Sequence, residues 1–176
     1  MSLVVERRRR FEQVFEENFR AVYAYVLRRA GPAEPDDAVA EVFLVAWRRI
    51  DEVPADAKPW LLGVARRVLA NQRRAAGRRA SLMARTREDA ARPAQEPPEA
   101  PSVLRALDRV SARDREILLL IAWDGLSIEE AAHALGCSRG AAKVRFHRAK
   151  RRLGQAIAEL EPEDVPAPAR LRLETR

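Results

Sequence analysis

Apolar residues recur every three or four positions through most of this chain, which is the period of amphipathic α-helices and not of β-strands. The apolar positions of residues 3–30 fall on one helical face: Phe11, Phe15, Phe19, Val22 and Val26. The pair Gly31-Pro32 follows as a stop signal. The pattern predicts a first helix over residues 3–30 whose aromatic side chains belong to a core.

A second helix is predicted from Asp36 or Asp37 to Ile50, with acidic residues in its first turn and arginines in its last, as the helix dipole favours. Its apolar stripe comprises Val39, Val42, Phe43, Ala46 and Ile50. The other side carries Asp37, Glu41, Leu44, Val45 and Arg48. Two apolar residues on an otherwise polar face fit either isolated exposed side chains or a protein-docking surface.

A polar loop over residues 51–58 precedes a third predicted helix, which Pro59 opens. Leu61, Val64 and Val68 face inward, whereas the remaining positions are crowded with arginine. The polar positions proposed to contact nucleic acid are Arg66, Arg67, Asn71, Arg73 and Arg74. Arginine near a helix C-terminus is favourable by itself. Their number exceeds what a helix end needs and indicates a nucleic-acid surface, beside which Trp60 is either a core residue or a support for an unstacked base.

Prolines separate this helical segment from the next one. Residues 77–101 are rich in Ala, Arg, Glu and Pro, which predicts a flexible linker whose basic beginning prolongs the third helix. The predicted organisation is all-α, with a first domain over residues 1–76 and a second over residues 102–160. A Pro-rich tail, residues 161–176, follows.

The second domain begins with a short amphipathic helix containing Val103, Leu104, Leu107 and Val110. Ser111 and Asp114 predict a capping box for the next helix, which is apolar at Ile117, Leu118, Leu120 and Ile121. These two helices lead into the stretch from Leu126 to Leu153.

That stretch reads as two helices that meet at a tight turn. Ser127 and Glu130 form a capping box, and Gly136 fits the left-handed position that ends such a helix. Ser138 caps the next helix, whose buried stripe is Ala142, Phe146, Ala149 and Leu153. No acidic residue occurs from Ala131 to Ala158. A basic second helix after a Gly-containing turn predicts a helix-turn-helix for the DNA major groove, the alternative being a helical hairpin with a solvated basic face.

Residues on the exposed side of this basic helix are the candidates for DNA contact. Four positions that share one face are proposed to read base edges: Lys143, Val144, His147 and Arg148. Three others are proposed to bind phosphates: Arg139, Arg145 and Arg151.

Composition agrees with a polyanionic partner, because the 176 residues carry a net charge of +7 and a pI of about 10.6. A single Cys137 and two well-separated histidines make neither a disulfide framework nor a metal site, so no metal or cofactor is expected. Motifs of phosphate loops, metal hydrolases or nucleophile elbows are lacking, so no catalytic residue is predicted. No signal peptide or membrane span is seen, which predicts a cytoplasmic protein that does not insert into membranes.

Taken in order, three segments resemble the bacterial RNA polymerase sigma factors of the sigma-70 family, in particular the extracytoplasmic-function (ECF) group. DDAVAEVFLVAWRRI is similar to the family's region 2 helix, which binds core RNA polymerase. PWLLGVARRVLANQRR is similar to the next helix, which handles the −10 element and promoter opening. LSIEEAAHALGCSRGAAKVRFHRAKRRL is similar to region 4, which reads the −35 element.

The resemblance implies a monomeric transcription initiation factor, not an enzyme, whose partners are core RNA polymerase, promoter DNA and an anti-sigma factor. It assigns polymerase docking to Asp37, Glu41, Leu44, Val45 and Arg48, and −10 contacts to Trp60, Arg66, Arg67, Asn71, Arg73 and Arg74. Ala40, Arg67 and Ala141 depart from residues that the family often has at these positions, which leaves the promoter sequence open. The alternative interpretation is a stand-alone helix-turn-helix regulator whose N-terminal helices dimerise or bind a ligand.

Overall fold

The computed structural model describes residues 3–30, 35–84 and 102–160, and in these ranges the regular structure is entirely helical. The elements are α1 (Leu3–Leu27), α2 (Pro35–Arg48), a 3₁₀ turn (Ile50–Glu52), α3 (Ala57–Ala84), α4 (Ser102–Arg109), α5 (Ala112–Ala122), α6 (Ile128–Leu135) and α7 (Arg139–Leu160). The predicted all-α class is confirmed. The Gly31-Pro32 stop signal, linker residues 85–101 and the tail 161–176 lie outside the described residues.

Helices α1, α2 and α3 pack pairwise to form the first domain. Every member of the apolar stripe predicted for α2 is buried, as are Leu61, Val64 and Val68 of α3. Burial of these side chains removes apolar surface from water and supplies most of the driving force for the domain. The helical period of the sequence therefore identified this core correctly.

The aromatic face of α1 is only partly core, which corrects the prediction for two of its residues. Phe15 and Phe19 each remain 37% exposed, whereas Val22 and Val26 are fully buried. The two phenylalanines lie against Phe43 of α2, with ring centroids 4.7 Å and 6.2 Å from it. They lie at the outer edge of the α1–α2 contact. Their outer sides stay exposed because no further element of the described residues packs over them.

Helix α3 begins at Ala57 and continues to Ala84, so Pro59 occupies its first turn and residues 77–84 of the predicted linker are helical. A proline is tolerated there because first-turn amides have no partner within the helix. The extension agrees with the expectation that the basic start of the linker prolongs this helix.

Capping residues mark where helices of the second domain begin and end. The backbone N–H of Asp114 donates to the Ser111 hydroxyl at 3.1 Å, but the reciprocal bond of a capping box is not formed. The carboxylate of Asp114 instead accepts from Arg152 of α7. At Ser127 both bonds of the box are present, and Gly136 ends α6 with φ of 66°.

One cluster of apolar side chains holds α4 to α7 together. Leu107 and Val110 are buried, but Val103 and Leu104 are 46% and 42% exposed, so the first turn of α4 does not contribute the core residues that its pattern predicted. On α7, Ala142 and Ala149 are fully buried, and Phe146 and Leu153 pack beside them. Small residues on α7 let α5 and α7 approach closely.

Candidate nucleic-acid and polymerase interfaces

The helix-turn-helix presents the basic side of α7 to solvent. The Ser138 hydroxyl accepts from the backbone N–H of Ala141 at 3.2 Å, which fixes the start of α7 immediately after the left-handed Gly136. The exposed candidates for DNA contact are Arg139, Lys143, Val144, His147, Arg148 and Arg151. Arg145 is half-buried and lies beside the first turn of α5. The predicted set therefore shares one helix, but its members are not equally accessible.

A concave surface of about 530 Å³ lies between the start of α5 and the outer side of α7. Val144, Arg145 and Arg148 line it on α7. Lys143, His147 and Arg151 form the neighbouring row at spacing i, i+4 and i+8 and are not part of the concavity. The four residues proposed to read bases thus belong to two adjacent rows of α7.

Four polar residues of this concavity were not among the sequence-based candidates: Ser111, Arg113, Asp114 and Arg152. Arg113 lies in the first turn of α5, where the helix dipole and free amides favour an anion. Arg152 continues the row of Val144 and Arg148 by one helical turn. The spacing of Arg152 along α7 could have indicated that it lies on this surface. Only the packing of α5 on α7 brings Arg113 to the same surface.

Asp114 anchors α7 to α5. Its carboxylate is 6% exposed and accepts a hydrogen bond of 2.6 Å from Nη1 of Arg152. Burial by itself raises the pKa of Asp114, but the hydrogen bonds from Arg152 and Ser111 and the positive charges of Arg152 and Arg145 outweigh it. The pKa of Asp114 is therefore held below its ordinary value, and the carboxylate stays ionised.

Replacing Asp114 by asparagine is expected to lower the free energy of unfolding by about 1–2 kcal/mol at neutral pH, because the charge-assisted bond to Arg152 is lost. A lowered folded-state pKa contributes stability above the pKa of the unfolded carboxyl, about 3.9, and this contribution disappears as the pH falls further. The free energies of unfolding of the two proteins, measured with urea, should therefore converge at low pH. Asp108→Asn, which removes an exposed partner of Arg115, is the control, and an unchanged difference at low pH contradicts the assignment.

The six residues predicted to contact the −10 element are divided by the fold. Arg67, Asn71, Arg73 and Arg74 are exposed on α3. Arg66 is half-buried and donates from Nη2 to the carbonyl oxygen of Leu135 on α6 at 3.3 Å. Trp60 is also half-buried, packs against the core of the first domain and has the guanidinium of Arg49 5.9 Å from its ring centre. These two side chains are therefore less accessible to solvent than the other four.

The surface predicted to dock polymerase lies along α2. Asp37, Glu41, Leu44 and Arg48 are exposed, and Leu44 has 46% of its surface open to solvent. Val45 instead is half-buried against the core. The face is wider than its sequence pattern showed, because Trp47 is 39% exposed beside Leu44 and the rings of Phe15 and Phe19 continue it. Trp47 follows Leu44 by three residues, and this helical spacing could have indicated that Trp47 belongs to the same face.

The described residues contain neither a metal-binding cluster nor a membrane-spanning helix. No group of three or more His, Cys, Asp or Glu side chains there could hold a metal ion. None of the described helices is long and apolar enough to cross a membrane.

Two family models match this chain, one in each half of the sequence. Residues 14–79 match the family model for sigma-70 region 2, and residues 101–153 match the model for sigma-70 region 4. ECF RNA polymerase sigma factor SigL of Mycobacterium tuberculosis (strain H37Rv) is 30% identical over 160 residues, covering 84% of this chain and 88% of SigL. SigD from the same strain is 34% identical over 165 residues, covering 85% of this chain and 78% of SigD.

The fold of this chain also resembles those of two solved structures. The sigma factor RpoE of Bartonella quintana, in complex with the anti-sigma factor NepR, superposes with a TM-score of 0.64 at 28% identity, covering 84% of this chain and 96% of RpoE. CnrH, in complex with the cytosolic domain of CnrY, shares the fold with a TM-score of 0.59 at 24% identity, covering 86% of this chain and 90% of CnrH.

The chain belongs to the sigma-70 family of RNA polymerase sigma factors. Within that family it is a member of the ECF group, whose proteins are regulatory DNA-binding factors of transcription initiation and not enzymes.

Proposed function

We propose that this chain binds core RNA polymerase and directs initiation at promoters by contacting the −10 element with its first domain and the −35 element with α7. The observation that carries the proposal is the joint presence of regions 2 and 4, with exposed candidate residues on α2, α3 and α7. It acts in the cytoplasm as a monomer that has no catalytic residue of its own.

Polymerase docking is assigned to α2. An apolar centre at Leu44 and Trp47, bordered by Asp37, Glu41 and Arg48, has the composition of an interface with an apolar core and a charged rim. Val45 supports this face from below because it packs against the core.

The −10 element is assigned to α3 and to the loop before it. Arg67, Asn71, Arg73 and Arg74 are available to phosphates, which attract guanidinium groups irrespective of base sequence. Trp60 provides an aromatic surface at the start of the helix, where a base taken out of the stack can be held. Arg66 joins this set only when α6 no longer accepts its hydrogen bond.

The −35 element is assigned to the exposed side of α7. Lys143, Val144, His147 and Arg148 are proposed to meet base edges in the major groove. Arg139, Arg145 and Arg151 are proposed to bind phosphates, and Arg113 and Arg152 add two guanidiniums on the concave side. An anti-sigma factor is a further proposed partner, because RpoE and CnrH were both solved with a bound inhibitor or partner domain.

Run-off transcription with purified core polymerase on a library of genomic promoters tests the proposal. Initiation at a defined set of promoters that depends on this chain is the expected result. Absence of binding to core polymerase contradicts it. A dimer that binds palindromic DNA without polymerase favours the stand-alone regulator instead.

Substitutions of Arg148 and Arg151 test base readout and phosphate binding separately. Arg148→Ala is expected to reduce discrimination between a selected −35 sequence and its scrambled version by about 5- to 150-fold, which corresponds to about 1–3 kcal/mol for a bidentate base contact. Arg151→Ala is expected to weaken binding to both DNAs by the same factor. Equilibrium binding by the polymerase holoenzyme measures both ratios, and equal losses on both DNAs for Arg148→Ala contradict the assignment.

A further inference from the structure

The loop between the 3₁₀ turn and α3 is buried at both ends and exposed in between. Val53 and Ala57 are 2% and 5% exposed and belong to the core of the first domain. Pro54, Ala55 and Asp56, which lie between them, are exposed. The loop is therefore a short projection whose position depends on how its two ends are held.

The beginning of α1 holds the first of these ends. The guanidinium of Arg10 donates a hydrogen bond to the carbonyl oxygen of Val53. One helical turn earlier, Arg7 pairs with the carboxylate of Asp51 in the 3₁₀ turn. These partners are separated by 43 and 44 positions in the sequence, so both contacts depend on the packing of α1 against the 3₁₀ turn.

Contacts within the 3₁₀ turn connect this anchor to Trp60. The backbone N–H of Val53 donates to the carbonyl oxygen of Ile50 at 3.3 Å, which closes the turn. Arg49, at the start of the turn, donates from Nε to Glu52 at 3.1 Å, and its guanidinium lies 5.9 Å from the ring centre of Trp60. The turn therefore joins the end of the loop to the aromatic ring that is proposed to hold an unstacked base.

The exposed part of the loop lies beside that ring. A cleft of about 170 Å³ lies between α3 and α6, and four residues line it on the side of the first domain: Pro54, Asp56, Pro59 and Trp60. The two prolines limit the conformations of the chain there, because the ring of each fixes its φ. Loop and indole together form a small surface of the kind that can receive a base taken out of the stack.

Of the two contacts from α1, the one made by Arg10 is expected to matter more. A hydrogen bond from a charged donor to a carbonyl oxygen is stronger than a neutral bond. The side chains of the Arg7–Asp51 pair are 35% and 63% exposed, and ion pairs of this kind contribute little to stability. Pro54 follows Val53 and has no N–H, so it cannot continue the turn. Arg10 therefore supports the chain where the hydrogen bonds of the turn end.

Both arginines precede the part of the chain that matches the family model for region 2. That match covers residues 14–79, which include the 3₁₀ turn and the loop. Helix α1 begins at Leu3 and runs without a break into the matched segment, so Arg7 and Arg10 lie on a helical extension of it. The anchor is therefore contributed by residues that the family match does not cover.

We infer that Arg10, assisted by Arg7, is a positioning residue for −10 recognition: it holds the loop of residues 54–56 beside Trp60 before DNA arrives. A loop that is ordered in advance loses less conformational entropy when a base enters. Arg10 acts through the loop and not by contact with DNA. The inference rests on the proposed function for its consequence in DNA binding, whereas the anchoring itself depends only on contacts within the first domain.

Arg10→Met tests the anchor, because it removes the hydrogen-bond donors and keeps an unbranched side chain. Arg9→Met is the matched control at an exposed position of the same helical turn, and Arg10→Lys keeps a charged donor. Hydrogen exchange followed by NMR reports on the amides of Glu52 and Val53, which are bonded within the 3₁₀ turn. We expect about 5-fold faster exchange in Arg10→Met, parental rates in Arg9→Met and an intermediate rate in Arg10→Lys. Parental rates in Arg10→Met, the same increase in Arg9→Met, or equally faster exchange throughout α1, α2 and α3 overturns the inference.

Promoter binding by the polymerase holoenzyme supplies the functional readout. A promoter selected by run-off transcription is compared with versions in which the −10 or the −35 bases are scrambled. Arg10→Met is expected to reduce discrimination at −10 by about 5-fold and to leave discrimination at −35 unchanged, and Arg10→Lys should restore part of the loss. Equal losses at both elements, or unchanged discrimination at −10, overturn the inference. If the parent holoenzyme does not discriminate at −10, the proposed function fails instead, and the exchange rates alone decide whether Arg10 anchors the loop.

Discussion

An aspartate in place of Leu44 is expected to reduce the affinity of this chain for core RNA polymerase by about 30-fold or more. Central apolar residues of an interface cost about 2 kcal/mol or more when they are lost, and a carboxylate adds the penalty of burying an unpaired charge. Leu44 is 46% exposed in the middle of the α2 face, so the substitution should not disturb the core of the first domain. Surface-immobilised core polymerase and purified variants provide the measurement.

Leu27→Asp is the matched control for this prediction, because Leu27 is 57% exposed on α1 and lies outside the proposed docking face. It should bind core polymerase as the parent chain does. Trp47→Asp should behave like Leu44→Asp if the face extends to the aromatic edge. Unchanged affinity in both α2 variants, with circular dichroism that shows intact helices, would place the docking surface elsewhere.

Replacing Ile117 by alanine is expected to lower the free energy of unfolding by about 2–5 kcal/mol, because it removes buried methyl groups and leaves a cavity. Ile117 is fully buried on α5 and belongs to the cluster that holds α7 in place. The loss is comparable with the stability of a small domain. Urea unfolding followed by circular dichroism gives the magnitude, and amide exchange of α5, α6 and α7 shows which helices are affected.

Val103→Ala is the comparison for this experiment, because Val103 is 46% exposed on α4 and its truncation leaves no cavity. It should change the free energy of unfolding by less than about 0.5 kcal/mol. A similar loss for both substitutions would mean that the two side chains are buried to the same extent in solution. Binding to −35 DNA should fall with Ile117→Ala only in proportion to the unfolded fraction.

The two surfaces proposed to bind DNA belong to domains that contact each other. Sequence alone suggests two small modules whose separate contacts are weak and whose joint engagement gives avidity. The structure adds a direct contact between them, in which Arg66 of α3 donates to the carbonyl oxygen of Leu135 on α6.

Sequence reasoning predicted the features that depend on neighbouring residues. The Ser127–Glu130 box, the left-handed Gly136 and the Ser138 cap are formed as predicted, because each uses hydrogen bonds or backbone angles within one turn. The buried stripes of α2 and α7 followed from the helical period in the same way. These local signals predicted the helices and the helix-turn-helix, whereas the family was indicated by the resemblance of three sequence segments to sigma factors.

Only the tertiary structure decided which of the predicted faces is free. Phe15 and Phe19 have the pattern of core residues, yet no described element covers their outer side. Arg29 lies near the end of the first predicted helix, but the folded chain buries it between Glu116 of α5 and Asp124, which follows α5. Partners separated by about ninety positions, such as Arg29 and Glu116, meet through the packing of whole helices, which no spacing along the chain specifies.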